Sequence, residues 1–416
     1  MRHSLIESLV GLRGNTRYCV YTEPMWGLSL NLILPYMSVY MLALGLNDAD
    51  VGMVASIYMV SQVIFSFLSG ALTDKLGRRK AVAIFDFIGW CAPCIIWFFA
   101  VDLKFFIVAA LFNGAMKVPV TAWSCLMIED ADKDKITKIY TWISVSGHLS
   151  AFFSPISSLL ISRFTLIPAF KILIVNAFIV MTAKIIILYA YSRETTVGER
   201  RLAETRDRSY FDLLKDYAGV FGIIKKSRGL VFSIAIVSLF SIISVITSTF
   251  WQILVSKKLG LPDESLPYFT MVRSLIALIF YFTIISRINQ TRLKKPLIYG
   301  FALYFAGQSA LLLIPSNGSL LYVFLCVALF FEGLGAGILV TLGESMIAMH
   351  AGLSERARVL AIYQMIVMAA STPFGWIGGQ LSTVSRNLPF VLNLSLIIVG
   401  IILTAVHFRT PEPKNR

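Results

Sequence analysis

The sequence has 416 residues, of which 57% are hydrophobic and 14% are charged, and its formal net charge is +14. Soluble domains carry about 25% charged residues, so this composition, with a mean hydropathy of +0.76, excludes an ordinary soluble domain. It predicts a polytopic membrane protein, and it leaves open whether the positive charge marks a nucleic-acid-binding surface or the orientation of the chain.

Apolar runs, each close to the roughly 20 residues that a helix needs to cross a bilayer, recur along the whole chain. We place twelve predicted spans at residues 20–44, 49–72, 80–100, 104–128, 139–162, 168–191, 230–255, 265–286, 296–314, 319–343, 358–382 and 388–408. The polar stretch before the first span lacks a cleavable signal pattern, so we expect that span to be retained in the protein.

The loop between the second and third spans has an unusual composition. It contains Gly70, Asp74 and Gly77, followed by the basic run Arg78, Arg79 and Lys80. Basic residues flanking spans stay on the cytoplasmic side, and Gly77 permits a tight reversal of the chain. An ordinary positive loop would account for the cations but not for the spacing of the glycines and the aspartate.

Most of the 37 lysines and arginines fall on the same predicted side as this loop. Such a bias sets the orientation of a membrane protein and does not form a surface for polyanions. We therefore predict that both termini are cytoplasmic and that nucleic acid is not a partner.

The stretch from Gly70 to Lys80 resembles motif A of the major facilitator superfamily, G-x-L-x-D-x-x-G-R-[RK]-[RK]. A weak internal repeat agrees, since Phe112-Asn113-Gly114 returns as Phe331-Glu332-Gly333 and Pro155 returns as Pro373. Such repeats accompany transporters built from two similar halves.

The resemblance implies an all-α fold of twelve transmembrane helices in two pseudo-symmetric six-helix bundles. We expect an N-terminal bundle at residues 1–191, a cytoplasmic linker with an amphipathic helix at 192–228 and a C-terminal bundle at 229–416. It also implies a monomeric carrier in the cytoplasmic membrane that is not an enzyme. Its expected partners are a small-molecule substrate, protons and the lipid bilayer.

Ionisable residues inside the predicted spans are the candidates for function, because a charge at the bilayer centre costs about 2.5–3.5 kcal/mol on insertion scales. Lys117 lies near the middle of the fourth span, Glu332 near the middle of the tenth, and Arg273 lies about 13 Å into the eighth. By resemblance, the first, fourth, seventh and tenth helices line a central cavity. Lys117 and Arg273 would attract an anionic group, and Glu332 would accept a proton or pair with Lys117. The alternative is a structural ion pair that fixes helix packing.

Three uncharged or weakly basic side chains inside spans are further candidates. Asn31 and Gln252 could hydrogen-bond the substrate or a neighbouring helix. His148 titrates in the range needed for proton coupling, although a packing role is the alternative. The five cysteines lack metal-ligand spacing and the chain has no Walker loop, so we expect no metal, cofactor or ATP.

A cytoplasmic gate is implied by the motif A resemblance. In the family, the motif aspartate docks on the start of the eleventh helix and the motif arginine contacts acidic helix ends. Those roles would fall on Asp74 and Arg78, with Glu129 or Asp130 as the acidic partner. Gly77 and Arg356 complete the predicted gate, and Glu23 and Asp86 are assigned to it or to the motif A network because they lie towards the cytoplasmic ends of their spans. Partly wet ion pairs contribute only about 1 kcal/mol each, so several can hold one state without locking it.

The direction of transport is the least constrained part of the prediction. Ser150, Ser154 and Ser158 surround Pro155 where antiporters of the family often have glycines, and Ala110 stands where proton-coupled drug exporters have an arginine. We predict a proton-coupled carrier for a small organic solute, anionic solutes included, with export slightly favoured over uptake. The alternatives are a multidrug/proton antiporter, a lipid or glycolipid flippase, and a non-transporting sensor.

Overall fold

The structure is a computed structural model of the chain, and it describes residues 11–132, 135–210, 212, 222, 224–283, 293–315, 320–350 and 356–407. These residues form helices and short connections, with no strand among them. The all-α fold predicted from the sequence is confirmed.

The helices follow one another along the chain with few long connections between them. They are α1 Gly14–Ile33, α2 Met37–Ala43, α3 Asp48–Leu76, α4 Arg78–Asp86, α5 Ala92–Phe98, α6 Leu103–Gly114, α7 Lys117–Ile128, α8 Ile136–Ala151, α9 Pro155–Phe164, α10 Leu166–Tyr191, α11 Thr196–Thr205, α12 Arg228–Ile253, α13 Leu266–Thr283, α14 Lys294–Leu312, α15 Leu321–His350, α16 Arg356–Val384 and α17 Leu388–His407.

Nine helical segments in the described part of the chain are long and apolar enough to cross a membrane. Several of these segments contain two of the helices above, separated by a short irregular turn. One segment contains α1 and α2, and another contains α6 and α7. The predicted spans lie on helices, with ends that shift by a few residues; the first helix, for example, begins at Gly14. The count of twelve spans stays a prediction.

Two of these irregularities lie next to prolines, Pro93 and Pro119. The two irregular turns contact each other. Pro93 has no N–H to donate to the carbonyl of Gly89, and the chain forms a π-helical turn over Phe87–Cys91. The amide of Asn113 donates to that carbonyl instead, at 2.7 Å. Pro119 follows a tight turn at residues 115–116 that separates α6 from α7. The third and fourth predicted spans are therefore both interrupted at the same depth.

The chain divides into two compact units. The first unit contains Met1–Leu46 and Ile57–Ala218, and the second contains Asn47–Ser56 and Gly219–Arg416. The core of the first unit includes Val118, Ala122 and Leu126. Among the core residues of the second unit are Phe280, Leu297, Phe301 and Leu342.

Candidate functional site

Three helices of the second unit converge on the carboxylate of Glu332. Glu332 lies in α15 and is only 4% exposed. Its Oε2 is 3.6 Å from Nη2 of Arg273 in α13, and its Oε1 accepts a hydrogen bond of 2.5 Å from Nε2 of Gln308 in α14. The cation closest to this carboxylate is therefore Arg273, which belongs to the same unit.

The polar network continues away from the carboxylate through buried side chains. Asn393 of α17 donates to Oε1 of Gln308 at 3.3 Å and to Oγ1 of Thr247 at 3.0 Å. Thr247 of α12 in turn contacts the hydroxyl of Tyr304 at 3.3 Å. Four helices thus share one hydrogen-bonded chain in a low-dielectric interior, where its members polarise and orient one another, and the Arg273–Glu332 ion pair attaches α13 to it.

Arg273 is held between the carboxylate and an aromatic ring. Its guanidinium lies 4.2 Å from the centroid of the Trp251 ring, a cation–π geometry, and Trp251 packs edge-on against Phe269. The Arg273 side chain is 31% exposed, whereas that of Glu332 is 5% exposed. The cation therefore remains accessible to a ligand while its carboxylate partner is enclosed.

Several buried polar atoms around this pair have no hydrogen-bond partner within the described part of the chain. They are Nε1 of Trp251, Oδ1 of Asn393, and the two atoms of the ion pair, Nη2 of Arg273 and Oε2 of Glu332, which face each other beyond hydrogen-bond distance. Oε1 of Gln252, the residue after Trp251, also has no partner among the described residues. Leaving such an atom unpaired costs about 1–3 kcal/mol. The cluster therefore has donors and acceptors that a polar solute or water could satisfy.

Lys117 lies in the first unit, directly after the break between α6 and α7. Gly114 at this break packs so closely on α3 that a Cβ atom would lie 2.2 Å from Oγ of Ser61. Lys117 is half-buried, and no carboxylate of the described residues pairs with its ammonium. Interrupted helices in transporter spans provide polar groups at binding sites, and this cation is placed at such an interruption.

The two other candidates of the first unit are less informative. The Asn31 amide donates to the carbonyl of Gly27 in its own helix at 2.8 Å. His148 is half-buried in the last turn of α8.

Glu23 and Asp86 were expected in the gate network, and the structure gives Asp86 a different partner. Its Oδ2 lies 3.9 Å from Nζ of Lys184 in α10. Lys184 was missed although it is a lysine alone in an apolar run, the same signal that selected Lys117. The sequence does not show which acid it faces.

The motif A residues form a dense ionic cluster in the first unit. The Arg78 guanidinium donates to Glu129 at 3.0–3.2 Å and to Asp74 at 3.0 Å. The second oxygen of Asp74 accepts two bonds from Arg201 of α11, at 2.7 and 3.1 Å. These bonds raise the pKa of the Arg201 guanidinium, which is therefore charged at any physiological pH. Arg201 belongs to the predicted linker and was missed.

A second missed residue, Glu194, joins this cluster to the start of α4. Its carboxylate accepts hydrogen bonds from the backbone N–H of Arg78 at 2.9 Å and of Arg79 at 3.2 Å. Gly77 adopts a φ of +81°, and a Cβ atom there would lie 2.6 Å from Glu194 Oε2. The glycine thus allows both the reversal of the chain and the approach of the carboxylate.

The remaining gate residues have simpler surroundings. Asp130 accepts a hydrogen bond of 2.9 Å from the Thr196 hydroxyl, and the Thr195 hydroxyl donates to Glu129. Arg356 is the first residue of α16, but its side chain lies outside the described residues. Most of the amphipathic segment predicted within the linker, at residues 210–224, also lies outside them.

The sequence matches one family model and, over a short stretch, one curated protein. The sequence model described as Major Facilitator Superfamily matches residues 25–323 and 292–416. The quinolone resistance protein NorA of Staphylococcus aureus is 37% identical over 57 residues, which span 14% of this chain and 15% of NorA. The match to this curated relative is therefore confined to a small part of both proteins.

Solved structures agree over nearly the whole chain. The nucleoside transporter NupG has a TM-score of 0.73 at 14% identity and covers 98% of this chain and 100% of its own. The peptide transporter POT, in complex with sulfate, has a TM-score of 0.67 at 16% identity and covers 98% of this chain and 98% of its own. Identities this low show a shared fold alone. Together with the family match across the chain, they establish that this protein is a membrane transporter, not an enzyme, and belongs to the Major Facilitator Superfamily.

Proposed function

We propose that the protein is a proton-coupled carrier that moves a small organic solute across the cytoplasmic membrane by alternating access, with export slightly favoured over uptake. The observation that carries this proposal is the Glu332–Arg273 pair, in which an enclosed carboxylate faces a partly exposed guanidinium. Ionisable groups inside membrane spans are costly and are retained mainly where they serve transport.

Proton binding and solute binding would be linked through Arg273. While Glu332 is ionised, its negative charge compensates the guanidinium, and Gln308 donates to it. When Glu332 takes up a proton, the pair loses its attraction and Arg273 becomes available to an anionic or strongly polar group of the solute. Binding of each ligand then raises the affinity for the other, which is the thermodynamic requirement for coupled movement in the same direction. The preference for export is supported by the similarity to NorA alone.

Other candidates take supporting roles in this proposal. Lys117 provides a second cation for the solute, and Asn31 and Gln252 provide amides. His148 is the alternative proton carrier. Asp74, Gly77, Arg78, Glu129, Asp130 and Arg356 form the cytoplasmic gate.

We further propose that residues 1–191 and 229–416 act as two bundles joined by the linker 192–228. Both termini would be cytoplasmic, and the working unit would be a monomer. The contact of Arg201 in α11 with Asp74 of motif A supports a part for the linker in the proposed gate.

The names of the similar proteins support the class of solute and the direction. NupG and POT are named for nucleosides and peptides, which are small polar organic solutes. NorA is named for quinolone resistance, which favours export. The rings of Trp251 and Phe269 beside Arg273 support a multidrug/proton antiporter as the second candidate.

The proposal is tested with purified protein in liposomes, screened against nucleosides, short peptides and quinolones with and without an imposed pH gradient. Glu332→Gln keeps the shape of the side chain but cannot ionise. We expect it to exchange solute between the two sides while losing at least tenfold of the gradient-driven accumulation. Glu344→Gln is the matched control, since Glu344 lies on the same helix with an exposed side chain. Undiminished gradient-driven transport by Glu332→Gln would remove Glu332 from the mechanism.

A further inference from the structure

A polar cavity lies at one end of the second unit, and the transport scheme above does not use it. Its volume is about 630 Å³, which is within the range of small-molecule sites. The start of α3, the end of the helical run that begins with α12 and the end of α16 meet there. Its lining residues all belong to the second unit.

Positive charge dominates the lining of this cavity. Lys257, Lys258 and Arg386 line it together with one acid, Asp48. Asp263, in the connection that follows Lys258, adds a second carboxylate at 3.8 Å from the Lys257 ammonium. When all five side chains are ionised, this group therefore keeps an excess of positive charge.

The two members of the Arg386–Asp48 pair differ in accessibility. The Asp48 side chain is 6% exposed and that of Arg386 is 36% exposed. Oδ2 of Asp48 accepts a hydrogen bond of 3.2 Å from Nε of Arg386 and one of 2.6 Å from the Ser382 hydroxyl. The enclosed carboxylate thus fixes the guanidinium, whose terminal N–H groups remain accessible from the cavity.

Lys258 is the cation with the least compensation. Its ammonium donates to Oδ1 of Asn387 at 2.5 Å, which is an uncharged oxygen, and no carboxylate of the described residues pairs with it. It ends a π-helical turn, Leu254–Lys258, a rare form that occurs frequently at functional sites. A half-buried cation without an anion is unfavourable, so a bound anion would stabilise this arrangement.

An oxyanion matches the donors that the cavity provides. A guanidinium binds carboxylate or phosphate through two parallel N–H bonds, and an ammonium binds them as a point charge. The Ser385 hydroxyl, also in the lining, can donate a further hydrogen bond. A cationic ligand would meet three like charges, and an apolar one would leave them without a partner.

We propose that Lys257, Lys258 and Arg386 form an oxyanion-binding site at this end of the second unit. It takes the carboxylate or phosphate group of a water-borne solute or of a lipid headgroup. The site is separate from the Glu332–Arg273 pair, and binding there requires neither a proton gradient nor transport. A part in the capture or release of an anionic solute rests on the proposed function.

The site is tested by the reactivity of its lysines in the full chain, held in phosphatidylcholine nanodiscs. A water-soluble amine-acylating reagent is added with and without inorganic phosphate at constant ionic strength, and mass spectrometry locates the acylated lysines. We expect phosphate to slow acylation of Lys257 and Lys258 several-fold. Lys104, exposed in the first turn of α6, is the internal control and should react at an unchanged rate.

Variants separate a binding site from cations that only fix helix ends. Lys258→Met should raise the phosphate concentration that half-protects Lys257 about tenfold, as expected for one lost charged hydrogen bond, and Lys258→Arg should raise it less. Asp48→Asn should lower that concentration, because the acid that competes for Arg386 is removed. Lys104→Met is the matched control and should change nothing.

Nanodiscs with added phosphatidylglycerol and no phosphate distinguish the two sources of the oxyanion. Protection by phosphate identifies a water-borne ligand, and protection by phosphatidylglycerol identifies a lipid headgroup. If neither slows acylation of Lys257 and Lys258 relative to Lys104, the proposal is overturned. Equal phosphate protection in the wild type and in Lys258→Met would overturn it as well.

Transport in liposomes then separates this inference from the proposed function. If phosphate protects the lysines but no solute is moved, the proposed function fails while the oxyanion site stands. If solute is moved under a pH gradient but the lysines are never protected, the oxyanion site fails while the carrier function stands.

Discussion

Glu194→Gln is the sharpest test of the cluster that joins the linker to motif A. The Glu194 carboxylate accepts the backbone N–H groups of Arg78 and Arg79 at the beginning of α4, and that of Thr195 beside it. Gln has nearly the same shape but loses the charge, and one of its two oxygens becomes an amide that cannot accept. The first turn of α4 therefore loses both an anion and a hydrogen-bond acceptor.

The magnitude follows from these two losses. A negative charge at a helix N-terminus contributes about 0.3–1 kcal/mol, and a hydrogen bond contributes about 0.5–1.5 kcal/mol net. We therefore expect the local opening free energy of this turn to decrease by about 2 kcal/mol. Since 1.4 kcal/mol corresponds to a factor of ten, backbone amides there should exchange with solvent about thirtyfold faster.

Hydrogen-exchange mass spectrometry on peptides that cover residues 74–82 and 194–205 measures this change directly. Glu199→Gln is the control, because Glu199 lies exposed in the first turn of α11. It should leave exchange at residues 74–82 unchanged, although the loss of its charge weakens its own turn. Faster exchange confined to residues 194–205 would show that Glu194 does not cap α4. An increase below threefold at residues 74–82 would refute the reasoning.

Two further predictions concern the cations of the candidate site. Arg273→Gln leaves Glu332 enclosed without its partner, which costs about 3–5 kcal/mol, so thermal unfolding in detergent should occur at a clearly lower temperature. The double variant Arg273→Gln/Glu332→Gln should recover most of that loss, and equal unfolding temperatures for the single and double variants would contradict a real ion pair. Lys117→Ala should raise the half-saturating solute concentration about tenfold, as expected for one lost charged hydrogen bond. Lys117→Arg should raise it less, and an unchanged affinity in Lys117→Ala would assign Lys117 to packing.

The sequence was sufficient for the fold because hydropathy and motif A act locally. A run of apolar residues has to form a helix in lipid, since no water is available to its backbone polar groups. The stretch around Asp74 and Gly77 carried the family resemblance in a single loop. Breaks within spans were harder to place. Pro93 and Pro119 can be read from the sequence. Whether a proline interrupts a helix depends, however, on which group donates a hydrogen bond to the carbonyl that the proline leaves unpaired. Here Asn113 donates to the carbonyl of Gly89.

The sequence could not show which acidic side chain pairs with which cation. Glu332, Arg273 and Lys117 stood out because each is an ion inside an apolar run, so their selection needed no structure. Choosing Arg273 as the partner of Glu332 required the packing of α13 on α15. Arg201 was overlooked because its acidic partner Asp74 is 127 residues away in the chain. Lys184 carried the same signal as Lys117, and only its pairing with Asp86 required the structure.

The attachment of α11 to motif A bears on how this protein can be cut into fragments. A boundary drawn at the end of α10 would detach Glu194, Arg201 and Thr205 from the loop that they hold. Co-expressed halves, or a fusion partner inserted into the connection, should therefore have their junction after Thr205. The N-terminal fragment then keeps the hydrogen bonds between α11 and motif A.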